Sequence, residues 1–281
     1  MFDISTKKRI VIKVGTSTLT HKTGRLNIRR MERLVKTLAD IQNSGREIIL
    51  VSSGAIGLGM SKMGLRERPK DTPMKQACAA VGQCELMYMY DKLFGEYNLN
   101  VAQILLTRYI LETPRKNNVE NTFYKLIEHN IIPVVNENDT VAIDELELAV
   151  GENDSLAAHV GMFCHADLLI IMSDIDGFFD GDPRSNPDAK LIPVVDKIDD
   201  RIRALAGDAV SGLGSGGMIT KINAAEIAMD AGFDMAIING RNPKTTFIAY
   251  GADLTLSKLA DDDEKLVSWY KEKGLTKKGY Y

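Results

Sequence analysis

Arg9-Ile10-Val11-Ile12-Lys13-Val14, followed at once by Gly15-Thr16-Ser17, is the stretch on which the fold turns. Its apolar residues occupy successive positions rather than alternate ones, the pattern of a strand covered on both faces, as in a parallel sheet. Five more short runs repeat it, at 48–51, 101–106, 131–135, 168–172 and 235–238. Between the first two, Ile28, Met31, Leu34, Val35, Leu38 and Ile41 recur at three- and four-residue steps, with Asn27 placed to cap the start and Gly45 just past the end. That spacing predicts an amphipathic helix. Segments 73–94, 118–129, 155–164, 198–206 and 218–231 carry the same period. Strand and helix therefore alternate, which predicts an α/β fold, a mainly parallel open sheet sandwiched between helices.

Composition fits that class and removes others. The 281 residues are 44% hydrophobic and 26% charged, ordinary for a globular chain and remote from disorder. Lys+Arg 35 against Asp+Glu 38 leaves a net charge of −3, so no global positive field gathers nucleic acid or an anionic membrane. No run approaches the roughly 18 apolar residues of a membrane span, and positions 1–9 hold no apolar signal core. Cys78, Cys84 and Cys164 are odd in number and irregular in spacing, so buried free thiols in a reducing, cytoplasmic setting are expected. The scattered His21, His129, His159 and His165 give no zinc-like spacing. No linker cuts the chain, but aspartates crowd after Asp167, which suggests a second lobe of one domain. A charged tail follows at 261–281.

Open α/β sheets carry ligands at the carboxyl ends of their strands. Four such ends are rich in small and polar residues: Gly15-Thr16-Ser17, Ser52-Ser53-Gly54, Asn136-Glu137-Asn138-Asp139 and Ser173-Asp174. Each alone reads as a tight turn; four on one edge read as anion-binding chemistry. Lys13 sits inside an apolar strand, where the plain alternative is a solvent-facing lysine on an edge strand. Lys221 lies in the first turn of a helix, where a cation opposes the helix dipole and calls for a nearby anion. Asp154, in Gly151-Glu152-Asn153-Asp154-Ser155, either caps its helix or holds lysines in place. Gly212, Gly214 and Gly217 spell a dinucleotide fingerprint, but a helix-like segment rather than a strand precedes them. A glycine nest for phosphates is the reading that survives, with a nicotinamide-dependent oxidoreductase as a rival.

With these residues quoted, the chain resembles the amino acid kinase family, and within it the branch that phosphorylates glutamate. The resemblance runs from about residue 9 to about residue 259 and is carried by Val11 to Ser17, Val51 to Ile56, Val135 to Asp139, Gly151 to Asp154, Asp182-Pro183-Arg184 and Ser211 to Met218. It implies that Lys13, Lys221 and Asp154 are catalytic, the two lysines contacting the transferred phosphoryl group and Asp154 organising them. It implies a substrate site at Ser53, Gly54, Asn138, Asp139 and Asn153. It implies an ATP site at Lys13, Gly15, Ser173, Asp174, Ser215, Gly216, Gly217, Met218 and Lys221, with Mg²⁺ carried by the nucleotide rather than by the chain.

The same resemblance implies an amino-acid lobe over about 1–166 and a nucleotide lobe over about 167–260, together a kinase domain over 1–260. The expected reaction makes γ-glutamyl phosphate, the first step of proline biosynthesis, with proline as inhibitor and a dimer or tetramer as the assembly. Two departures stand out. Many relatives append a PUA domain, which is not expected here, and some carry a lysine where this chain has Ala149. Aspartate, acetylglutamate, carbamate or UMP as phosphate acceptor, or an amino-acid sensor without turnover, are the alternatives.

Overall fold

The computed structural model describes residues 6–21, 23–107, 116–141, 153–207 and 217–240. Each of the six apolar runs is one strand: β1 (Arg9–Val14), β2 (Glu47–Ser52), β3 (Val101–Leu106), β4 (Ile132–Glu137), β5 (Leu168–Ser173) and β6 (Asp234–Asn239). They form one sheet in the order β3-β4-β2-β1-β5-β6, and every neighbouring pair is parallel. All six carboxyl ends therefore share one edge. β1 pairs with β2 on one side and β5 on the other, so it lies inside the sheet, which overturns the edge-strand alternative for Lys13. Strand order also reverses there: β2 leaves β1 in one direction and β5 in the other, which makes the β1/β5 boundary the topological switch point where such sheets bind ligands.

Helices cover both faces. α2 (Ile28–Asn43) starts where the Asn27 side chain accepts a hydrogen bond from the Arg30 N–H at 3.1 Å, and Gly45 beyond its end takes φ +94°. α4 (Thr72–Gly95) is capped by Asp71, which accepts from the Met74 N–H at 3.0 Å. Together these two helices bury Ile10, Ile12, Val14, Ile48, Leu50, Ile132 and Val134 on one face. On the other, α5 (Lys116–Glu128), α6 (Asn153–Phe163) and α8 (Met218–Ala231) cover Val11, Ile49, Val51, Leu169 and Ile171. Each such fully buried aliphatic side chain contributes about 1.5–3 kcal/mol. Side chains alternate along a strand, so Lys13 projects to the Val11 face, that of α6 and α8. A small third cluster joins α7 (Asp200–Gly207), through Ala206, to Phe178 and Ile222.

Two helices stand where the sequence reads as turn: α1 (Thr16–Leu19) and α3 (Ala55–Lys62). α1 is a single turn, too short for periodicity. α3 carries Gly57 and Gly59, which disfavour a helix by about 1 kcal/mol each relative to alanine. Contact with α4 overrides that preference. A Cβ on Gly59 would sit 1.8 Å from the Cys78 carbonyl oxygen, and one on Gly82 equally close to the Ala55 carbonyl oxygen, so backbone packs directly on backbone. The cysteines need one correction: Cys78 and Cys164 are buried free thiols, but Cys84 on α4 is exposed. Among the described residues no helix is long and apolar enough to cross a membrane.

Candidate active site

Three elements converge beside the switch point. β1 brings Lys13, the first turn of α6 brings Asp154, and the first turn of α8 brings Thr220 and Lys221. Lys13 Nζ lies 2.7 Å from Asp154 Oδ1 and Lys221 Nζ lies 3.0 Å from Oδ2. The Thr220 hydroxyl donates to the same Oδ2 at 2.8 Å. Asp154 is 1% exposed and the two lysine side chains 12% and 7%, so this is a dry cluster. Burial alone would push the Asp154 carboxyl up, but the two ammonium groups outweigh it and hold the group at about 2. Among the described residues this cluster sets one carboxylate against two ammonium groups, in surroundings where screening is weak. The cluster therefore attracts an anion. Asp154 is also the anion that the position of Lys221 in α8 called for.

The residue before Asp154 ties this cluster to the strand ends. Asn153 Nδ2 donates toward the Ser53 hydroxyl at 2.8 Å, Asn136 Oδ1 at 2.9 Å and the Ser52 carbonyl at 3.3 Å. Asn136 Nδ2 in turn donates to Gln83 Oε1 on α4 at 2.9 Å, and Ser52 Oγ lies 2.8 Å from the Tyr90 hydroxyl, also on α4. Ser53 continues the sheet edge, its N–H donating to the Val14 carbonyl at 3.0 Å. Gly54 follows at φ +109°, a left-handed conformation that opens α3 and suits glycine. Asn138 and Asp139 stand on the same edge just beyond β4, with the Asn138 N–H donating to the Leu106 carbonyl at 2.7 Å.

Across the switch point the described residues at the strand ends are half-buried or exposed. Gly15 precedes α1, and a Cβ there would lie 3.7 Å from Lys13 Nζ and 3.9 Å from the Met172 carbonyl of β5. Ser173 ends β5, and its hydroxyl donates to Asp174 Oδ1 at 3.4 Å. Arg184 is 3.5 Å from Asp174 and 3.0 Å from Asp182, with all three partly or largely exposed. Gly217 caps the start of α8 and Met218 is its first residue. Ser215, Gly216, the rest of the glycine run, and Gly151-Glu152 lie outside the described residues.

Lys13, Lys221, Asp154, Asn153 and Ser53 thus form one connected group, although sequence separations reach 208 positions between the lysines. Asn136, which opens one of the four polar strand ends, belongs to it, as do Thr220 and Gln83, which do not stand out as site residues in the sequence. One signal was available: Gln83 is polar within the inward row Cys78, Ala79, Gly82, Leu86 and Tyr90 of α4.

Residues 8–239 match the amino acid kinase family. The chain belongs to that family. Among curated relatives, a glutamate 5-kinase from Clostridium perfringens is 54% identical over 240 residues, covering 84% of this chain and 89% of the relative. A glutamate 5-kinase from Listeria innocua is 49% identical over 247 residues, covering 87% and 90%. Solved structures confirm the amino acid kinase fold at much lower identity. Carbamate kinase from Giardia lamblia bound to AMP-PNP superposes with a TM-score of 0.61 at 18% identity, covering 89% of this chain and 97% of that one. Isopentenyl phosphate kinase of T. acidophilum gives 0.59 at 17% identity. Every described residue of the connected site falls inside the matched span.

Proposed function

We propose that this amino acid kinase transfers the γ-phosphoryl group of ATP to the side-chain carboxylate of L-glutamate, giving γ-glutamyl phosphate and ADP in the first step of proline biosynthesis. The observation that carries the reading is the meeting of Lys13 and Lys221 on buried Asp154, next to Asn153 and Ser53, in a chain about half identical to glutamate 5-kinases. The nucleophile comes ready made. A carboxylate with an ordinary pKa near 4.3 is ionised at neutral pH and needs no general base. Its obstacle is repulsion from the nucleotide phosphates, about 4 kcal/mol per charge pair at 4 Å for an effective dielectric near 20.

Lys13 and Lys221 offset that repulsion and stabilise the charge that develops on the oxygens in flight, so catalysis is positioning plus electrostatics. Asp154 holds both ammonium groups on the phosphoryl path and keeps them from repelling one another. Ser53, Gly54, Asn138, Asp139 and Asn153 form the glutamate end. Gly15, Ser173, Asp174 and the segment from Ser215 to Met218 form the nucleotide end. Mg²⁺ enters on the phosphates of ATP and neutralises part of their charge; Asp154 does not suit it as a ligand, because both its oxygens already face ammonium groups.

The same reading takes the segment before Asp167 as the amino-acid lobe and the segment after it as the nucleotide lobe. It extends to proline, whose α-ammonium and carboxylate match those of glutamate, as a feedback inhibitor at the amino-acid end, and to a cytoplasmic homo-oligomer. The test is ADP release from MgATP with L-glutamate, L-aspartate or N-acetylglutamate, with and without proline, and trapping of the acyl phosphate with hydroxylamine. Turnover with glutamate, hydroxamate formation and suppression by proline are expected. ADP release that favours aspartate or N-acetylglutamate overturns the substrate assignment.

A further inference from the structure

The hydrogen bonds below the glutamate end run in one direction, and that direction can be read from a backbone atom. The Ser52 carbonyl is only an acceptor, so the Asn153 group facing it at 3.3 Å is the NH₂. That NH₂ also faces Asn136, so Asn136 presents its oxygen there, at 2.9 Å. The Asn136 NH₂ then points to α4 and requires an acceptor, which Gln83 Oε1 supplies at 2.9 Å. At the far end Gln83 Nε2 is left buried with no hydrogen-bond partner among the described residues. Gln83 and Asn136 are 8% and 3% exposed, so both amides are buried. A buried donor without a partner is destabilising, and its retention calls for a reason.

We propose that Gln83 is a positioning residue: its acceptor fixes the amide direction of Asn136, which in turn fixes Asn153 at the glutamate end of the site. If the Asn136 amide turned over, its NH₂ would meet the NH₂ of Asn153, donor against donor, and Asn153 would lose a partner it shares with Ser53. Gln83 is itself held from two sides. Gly82, the residue before it, packs directly on Ala55 at the start of α3, and Tyr90, two turns further along the same face of α4, meets Ser52. α4 thereby sets the ends of β4 and β2 together. The effect on turnover rests on the glutamate kinase reading; the effect on Asn153 does not.

The experiment compares Gln83→Met, which keeps the shape and removes the acceptor, with Gln83→Glu, which keeps an acceptor in either protonation state. Steady-state kinetics should show the glutamate KM of Gln83→Met raised about tenfold or more, the loss expected when a buried hydrogen bond leaves its partner unpaired. KM for MgATP should stay within twofold, and Gln83→Glu should restore the glutamate KM to within about threefold of wild type. In parallel, side-chain amide spectra of protein labelled with ¹⁵N-asparagine should show the Asn153 NH₂ shifted or doubled in Gln83→Met and unshifted in Gln83→Glu. An unmoved Asn153 signal in Gln83→Met overturns the inference, as does a raised glutamate KM in Gln83→Glu. If wild type fails to turn over glutamate, the kinase reading falls and the amide spectra alone decide the role of Gln83. If Gln83→Met does not fold, Gln83→Glu decides it on both readouts.

Discussion

The carboxyl edge of the sheet has two unlike halves on either side of the β1/β5 boundary. On the β2/β4 side, polar groups are buried or half-buried, connected across 17 to 101 positions of sequence, and backed by α4. On the β5 side, the polar contacts among the described residues are exposed and mostly local, as between Arg184 and Asp182 two residues apart. Buried networks of long sequence separation fix one geometry, because every member depends on the others. Exposed local pairs do not, since water replaces them at little loss. Among the described residues, the first half is therefore held in one arrangement and the second is the more readily rearranged. Asp154 with its two lysines stands at the join.

That contrast can be broken most forcefully at the join itself. Asp154→Asn leaves two ammonium groups facing each other without a countercharge, and kcat should fall by on the order of a thousandfold or more. A folded variant retaining a tenth of the wild-type rate removes the join from the account. Lys13→Ala and Lys221→Ala each take away one stabiliser of the moving phosphoryl group, so kcat should drop about a hundredfold, with KM for glutamate changed far less. Near-normal kcat in either purified protein contradicts the role given to that lysine.

Acid unfolding sharpens the comparison next. Asp154 titrates at about 2 in the folded chain against an ordinary 3.8, so its contribution to stability is complete above pH 4 and is lost as pH falls toward 2. The amount is about 2 kcal/mol. Urea titrations at pH 5 and pH 2.5 should show that loss in wild type and not in Asp154→Asn; equal losses in both would assign it elsewhere. Asp139→Ala should raise the glutamate KM about tenfold and leave that for MgATP alone, the loss of one charged contact. A change confined to the nucleotide KM would move Asp139 to the other half. Arg184→Ala on the β5 half should change stability by less than about 1 kcal/mol, measured by Tm and denaturant midpoint. A larger fall would show that this half is as rigid as its neighbour.

How much of this was legible in the sequence depends on the range of the interactions involved. Runs such as 168–172 and the helical spacing from Ile28 to Ile41 are local patterns of burial, and each appears in the structure as the element they predict. Lys13 is conspicuous because a charge interrupts an apolar strand, and its partner Asp154 because a carboxylate in the polar turn 151–155 either caps a helix or holds lysines. Gln83 and Thr220 are not conspicuous, since their roles exist only once β4, α4, α6 and α8 are side by side. α3 was hidden for the opposite reason: its glycines argue locally against a helix, and only the close approach of α4 reverses that.

That approach also reverses a familiar rule of protein engineering. Replacing glycine with alanine inside a helix is a standard route to greater heat resistance, because it narrows the unfolded ensemble. At Gly59 and Gly82 the added methyl would land on a carbonyl oxygen of the neighbouring rod. The wedge would tilt the turn that presents Ser53, so a library screened for thermostability should come back empty at these two codons while accepting alanine at Gly95, where the space beside the chain is open.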